Sequence, residues 1–293
     1  MKTTIQSFNS PDTGRTDKKG TVLVIASSSD TLITKDGRPE KIGFYLNELA
    51  IPVQAALDSG YDIVLATPKG NKPVMDPHSA SEAYFGNSKE ALRKALDLFE
   101  THPAMQNPRS FHSVIEGGLE NYVAFYAPGG HPPMVDLMQD AELGEILRHF
   151  HTEGKITALL CHGPIAMAAA ISNAKAFRAA LVDENMEEAR KIAKGWQYAG
   201  YRMTVFSDDE EHYAEVNLMG GKMSPLYPYD ALEIAGGKME KNPDGIFKPH
   251  VVEDRELITG QNPPSAEQMA EVLVKALERQ TASRLVGESR SNI

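Results

Sequence analysis

Short unbroken apolar runs and stretches of helical spacing alternate along most of the chain. TVLVIAS (Thr21 to Ser27) and DIVLATP (Asp62 to Pro68) are rich in β-branched residues and bounded by Gly, Ser, Asp or Pro. That is the pattern of strands buried on both faces of a parallel sheet. Between them, Leu46, Leu49, Ala50, Val53, Ala56 and Leu57 recur at helical spacing, and Gly60 supplies a stop. NYVAFYAPGGH (Asn121 to His131), the start of KITALLCHGPIAMAAA (Lys155 to Ala170) and YRMTVFSDDEE (Tyr201 to Glu211) predict three further strands, and Val251 to Gly260 predicts a hairpin. Helices are predicted from Ser88 through Phe99, from Asp140 to His151, from Asp183 to Lys194, from Leu226 to Ala235 and from Ser265 to Arg279. Strand–helix–strand order of this kind builds a doubly wound, mostly parallel α/β sheet.

The pattern loosens between about residues 69 and 120, where Gly, Pro and polar residues dominate. That is too long for a plain connection, so a small inserted lobe or lid over the sheet edge is expected there. The chain therefore divides into a polar, flexible N-terminal arm (1–19), a single α/β domain (20–280) and a frayed C-terminal tail (281–293) low in apolar residues.

Composition narrows the function without choosing it. At 293 residues, with 41% hydrophobic and 24% charged residues, the chain is ordinary for a soluble globular protein. A net charge of −10 and no cluster of Lys or Arg argue against nucleic acid or an anionic membrane as partner. No apolar run reaches the roughly 20 residues of a membrane span, and the first residues lack the apolar centre of a secretory signal. A single cysteine excludes a disulfide within the chain and points to a reducing, cytoplasmic setting.

That cysteine carries the chemistry. Sites in open parallel sheets form at the carboxyl ends of strands, and three predicted strands end in loaded segments: Pro128 to His131, Cys161 to Pro164, and Ser207 to Glu211. Cys161 directly follows an apolar strand and directly precedes a predicted helix with Pro164 in its first turn. A thiol at a helix N-terminus is expected to have a lowered pKa. Gly163 permits close backbone approach, and such an elbow can aim main-chain N–H groups at a developing oxyanion. A lone cysteine is more often an inert small hydrophobe, but one flanked by His162 and Gly163 at a strand end is uncommon in plain core packing. Sequence adjacency alone does not make Cys161 and His162 a pair. His131 either lines the pocket or caps the helix that follows it.

AFYAPGGH, ALLCHGP and FSDDEE, in this order, resemble the ThiJ/PfpI superfamily, whose fold is a flavodoxin-like three-layer sandwich related to class I glutamine amidotransferases. The likeness is nearest to the branch of HchA-type chaperones also described as glyoxalase III, and spans about residues 20 to 277. It implies Cys161 as nucleophile, His162 as its imidazole partner, Glu211 as the acid orienting that imidazole, and Glu48 as a buried carboxyl beside the thiol. It also implies an oxyanion hole from the N–H groups of Gly130 and His162, with Gly129 in the pocket. Asp208, Asp209 and Glu210 compete with Glu211 for the acid's place. The implied reaction converts methylglyoxal-like 2-oxoaldehydes to 2-hydroxy acids without a cofactor. The alternatives are a cysteine hydrolase (amidase, peptidase or protein deglycase) with the same residues, or a holdase chaperone. Besides a small aldehyde, the resemblance allows unfolded or glycated proteins as partners, and a homodimer. Some members of the branch carry a His/His/Glu metal site; here the matching positions include Leu57 and Asp62, so no metal is expected.

Overall fold

The computed structural model describes the backbone of residues 18–291 and the side chains of residues 18–283. Most of the expected N-terminal arm, residues 1–17, and the last two residues of the tail lie outside the described residues.

Seven strands form one sheet. From one edge to the other they are Val251–Asp254, Leu257–Gly260, Ile156–Leu160, Tyr122–Ala127, Thr21–Ile25, Asp62–Thr67 and Arg109–Ser110. Neighbours run parallel except the edge hairpin, where Val251 pairs with Gly260 and Asp254 with Leu257. The architecture is a flavodoxin-like α/β sandwich. Chain direction across the sheet reverses at Thr21–Ile25, whose two neighbours are Asp62–Thr67 and Tyr122–Ala127. The crevice at such a reversal is where open sheets hold their sites.

Successive strand residues face opposite layers. Leu23, Ile25, Phe125 and Leu159 enter one core with helix Ala141–Thr152. Val22, Val24, Tyr126, Ala158 and Leu160 enter the other, with helices Leu46–Asp58 and Ala266–Ser291. Strict alternation would send Cys161 to the first layer. It lies in the second, beside Leu160, because its backbone turns into the left-handed region at φ 60°.

Several expectations shift. The run Tyr201 to Glu211 is not a strand of the main sheet: only Arg202–Met203 is paired, in parallel, with Lys238–Met239. Thr204 to Phe206 is held instead by single bonds, Thr204 N–H to Thr259 Oγ1 at 2.9 Å and Phe206 N–H to the Cys161 carbonyl at 2.9 Å. Met203, Thr204, Val205 and Phe206 are all buried, an unbroken run that reads as a strand enclosed on both faces. The helix expected over Asp183 to Lys194 is the shorter Met186–Ile192, a further helix, Ala174–Val182, precedes it, and the helix expected after Cys161 is the 3₁₀ helix Gly163–Ala170. The closing helix runs through Ser291, past the Arg279 at which its spacing pattern ends.

Residues 69–120 contribute the edge strand Arg109–Ser110 and the helix Lys89–Thr101, capped by Ser88 Oγ accepting from Ala91 N–H. That helix packs on Leu46–Asp58. Among the described residues, no helix is long and apolar enough to cross a membrane.

Candidate active site

The neighbouring strands Tyr122–Ala127 and Ile156–Leu160 pair Ala127 with Leu159, so the segments after them meet. Gly129 packs directly against the elbow: a Cβ there would sit 2.6 Å from both Cys161 Cβ and His162 N. Only glycine fits such an approach. Gly130 follows at φ 83°, and its N–H interacts with the thiol sulfur. A positive φ on a non-glycine residue such as Cys161 stores strain of about 1–3 kcal/mol, and it recurs at nucleophile elbows.

Cys161 and His162 do pair. Sγ lies 3.2 Å from His162 Nδ1, and His162 Nε2 lies 2.8 Å from Glu211 Oε2. His131 Nε2 approaches the other oxygen, Glu211 Oε1, at 3.1 Å. His131 caps nothing with its side chain and lines the pocket. Phe206 stacks on the His162 ring with centroids 4.4 Å apart.

The four neighbouring acids divide by position in their helix, Asp208–Asn217. Glu210 closes a capping box with Ser207, Asp209 pairs with Lys241 at 2.7 Å, and Asp208 hydrogen-bonds with Asp230. Glu211 is the acid that reaches the imidazole. Ser224, which the sequence reading passed over, donates its hydroxyl to Glu211 Oε1. It lies 13 residues downstream and carries no motif.

Glu48 enters from the first turn of helix Leu46–Asp58, fully buried. Its Oε2 accepts the Gly129 N–H at 2.7 Å. Its Oε1 has no hydrogen bond of ordinary geometry among the described residues, and the Cys161 thiol is the polar group that interacts with the carboxyl.

Burial sets the charge states. Loss of solvent raises the Glu48 carboxyl to about 8, against smaller opposing effects of the thiol, the Gly129 N–H and His131. Burial also drives the Cys161 thiol well above its ordinary value, reinforced by Glu48 and opposed by the Gly130 N–H. This reverses the expected lowering. The thiol is 2% exposed, so desolvation outweighs the end of a short 3₁₀ helix. Glu211 goes the other way: burial would raise it, but His131 and His162 together hold it well below the usual carboxylate range. His131 is raised, because Glu211 outweighs the cost of its burial, while His162 is lowered by burial and by His131.

A neutral His162 whose Nε2–H donates a hydrogen bond to the Glu211 carboxylate presents a lone pair at Nδ1 to the thiol. The arrangement can therefore take a proton from sulfur on one side while holding a protonated carboxyl on the other.

His131, His162 and Glu211 bring one ligand-type atom each within 4.8 Å of one another, a grouping with the dimensions of a metal site. The same nitrogens and oxygens are joined by hydrogen bonds, which makes the trio a proton relay as it stands. Of the positions considered for a metal from sequence, Leu57 offers no donor atom and Asp62 pairs with Lys18 at 3.0 Å.

Tyr45 and Tyr84, also not singled out from sequence, lie within electrostatic reach of the thiol with rings 5.5 Å apart, edge to face. Both phenols are raised, by burial first. A cavity of about 290 Å³ runs from them to Gly130, His131 and His162.

A family model described as ThiJ/PfpI family-like matches residues 40–214. A curated relative, the protein/nucleic acid deglycase HchA of Staphylococcus aureus (strain MSSA476), is 23% identical over 266 residues, covering 89% of this chain and 81% of its own. Among solved structures, glyoxalase III from Candida albicans superposes with a TM-score of 0.67 at 22% identity, over 88% of this chain and 97% of that one. The 24 kDa rapid encystment protein of Francisella tularensis gives 0.64 at 24% identity, over 88% and 99%.

Proposed function

The chain belongs to the ThiJ/PfpI-like family, and on that premise we propose that it is a cofactor-independent cysteine enzyme of glyoxalase III type, converting 2-oxoaldehydes to 2-hydroxy acids. The observation that carries the reading is the placement of a thiol between a neutral imidazole and a carboxyl raised to about 8. An acid and a base flanking one reacting carbon are what transfer of a proton between adjacent carbons requires.

The steps balance without an external oxidant or reductant. His162 Nδ1 takes the thiol proton, sulfur adds to the aldehyde carbon, and the proton returns to the new alkoxide, giving a hemithioacetal. The N–H groups of Gly130 and His162 stabilise the charge while it exists. His162 then removes the hydrogen from the former aldehyde carbon as protonated Glu48 donates to the ketone oxygen, forming an enediol. Return of one proton to the adjacent carbon, and of the other to Glu48, leaves a 2-hydroxy thioester. Water, deprotonated by His162, releases the acid and restores the thiol. The aldehyde carbon is oxidised and the ketone carbon reduced. Throughout, Glu211 orients His162 and stabilises its cation.

The test is lactate formation from methylglyoxal without glutathione. Wild type should turn over, and Cys161→Ser should lose about 10⁴-fold or more in kcat. Lactate production surviving in Cys161→Ser sinks the mechanism. The same thiol and relay also suit hydrolysis of an amide bond or release of the adduct from a glycated side chain, and the Staphylococcus relative is named a deglycase. Release of lactate from glycated protein, with free methylglyoxal left untouched, would favour that second reading.

A further inference from the structure

We propose that the preferred substrate is a neutral 2-oxoaldehyde bearing an aryl or similarly bulky apolar substituent, not methylglyoxal. This deepens the glyoxalase reading and rests on it. The cavity of about 290 Å³ that reaches Gly130, His131 and His162 is walled by Phe206, Tyr213, Leu218, Phe247, Pro263 and Pro264. None of its lining residues is Lys, Arg, Asp or Glu. The one lining imidazole that favours its cation, His131, already faces the Glu211 carboxylate at 3.1 Å, so no uncompensated positive charge is left there to meet an anionic 2-oxo acid, phosphate or peptide conjugate. Methylglyoxal places one methyl group beyond its two carbonyl carbons, and would leave most of this apolar surface wet. A ring would displace that water and gain about 25 cal/mol for each Å² of apolar surface it covers.

The wall is built rather than incidental. Phe247 sits at φ 55°, a conformation that non-glycine residues seldom adopt. Its N–H donates to Glu210 Oε1 at 2.8 Å, and Asn262 Nδ2 reaches the same oxygen at 2.8 Å. Glu210 Oε2 accepts from Ser207 N–H, Ser207 Oγ and Gln261 Nε2 at 3.0, 2.9 and 3.0 Å. A fully buried carboxylate thus ties the helix bearing Glu211, the segment after strand Leu257–Gly260 and the loop of Phe247 together. The result holds the Phe247 ring 5.1 Å from Tyr213, edge to face, and 6.1 Å from Phe206. Phe206 in turn stacks on His162, so the aromatic wall is continuous with the imidazole. Glu210 is a positioning residue for that wall.

The experiment compares kcat/KM for phenylglyoxal, followed as mandelate, with that for methylglyoxal, followed as lactate. Wild type should favour phenylglyoxal by about tenfold or more, the scale on which apolar pockets discriminate. Phe247→Ala should lower the phenylglyoxal-to-methylglyoxal ratio by about tenfold, and Phe247→Leu should restore part of it. Equal or better use of methylglyoxal by wild type overturns the substrate assignment while leaving the glyoxalase reading intact. An unchanged ratio in Phe247→Ala overturns it as well. Inertness toward both aldehydes removes the glyoxalase reading and this assignment together.

Discussion

Glu48 and Glu211 are both fully buried, and both lie beside the same thiol–imidazole pair, yet their protons behave oppositely. Glu48 has a single backbone N–H and a thiol for company, so the loss of solvent decides and the carboxyl stays protonated. Glu211 has an imidazole on each oxygen and the Ser224 hydroxyl besides, so charge and hydrogen bonding decide and it ionises. Burial is common to the two. Partners separate them, and that difference is what lets one site hold an acid and a base at the same pH.

Removing the charge of Glu211 should break the contrast most severely. Glu211→Gln leaves the shape but withdraws the counter-charge from both imidazoles and upsets the His162 tautomer; kcat for 2-oxoaldehyde turnover should fall about 10³- to 10⁴-fold. A loss under tenfold would mean that His162 needs no anionic partner. Glu48→Gln keeps an acceptor for Gly129 but cannot pass a proton, and a fall of about 10²- to 10³-fold in kcat is expected, with circular dichroism unchanged.

The pH dependence sharpens the same comparison. Activity that needs protonated Glu48 should decline as pH rises through about 8, and residual activity in Glu48→Gln should lack that limb. Stability follows by linkage. Glu48 is raised in the folded state, so folding takes up a proton, and wild type should lose Tm relative to Glu48→Gln as pH climbs from near 4.5 to about 8. Glu211 is depressed, so folding releases a proton, and wild type should lose Tm relative to Glu211→Gln as pH drops below about 4.5. Thermal melts across that range check both signs. The smallest effect is expected at Ser224→Ala, which removes one of three partners of Glu211: roughly tenfold or less in kcat, with the acid limb of the pH–rate profile moved upward.

The elbow was legible because its signal is local. An apolar run ending in Cys161, then His162, Gly163 and Pro164, specifies a strand, a sharp turn and a helix start with no knowledge of the rest of the fold. Tyr45, Tyr84, Ser224 and Phe247 were not legible, because each reaches the site from a distant segment and none sits in a motif. The stretch Tyr201 to Phe206 misled for a related reason: a continuous buried run reports an extended chain, and whether a strand partner lies alongside is a long-range matter.

By itself the sequence determined most strands of the main sheet and its mostly parallel character, the single thiol, and its seat at a strand's carboxyl end. Those follow from residue spacing and from backbone preferences that act within a few positions. The charge carried by each group in the site was decided only on folding. A carboxyl or thiol shifts according to the water it loses and the dipoles that replace it, and those come from Gly129, Gly130, His131 and Glu211, brought together by the sheet.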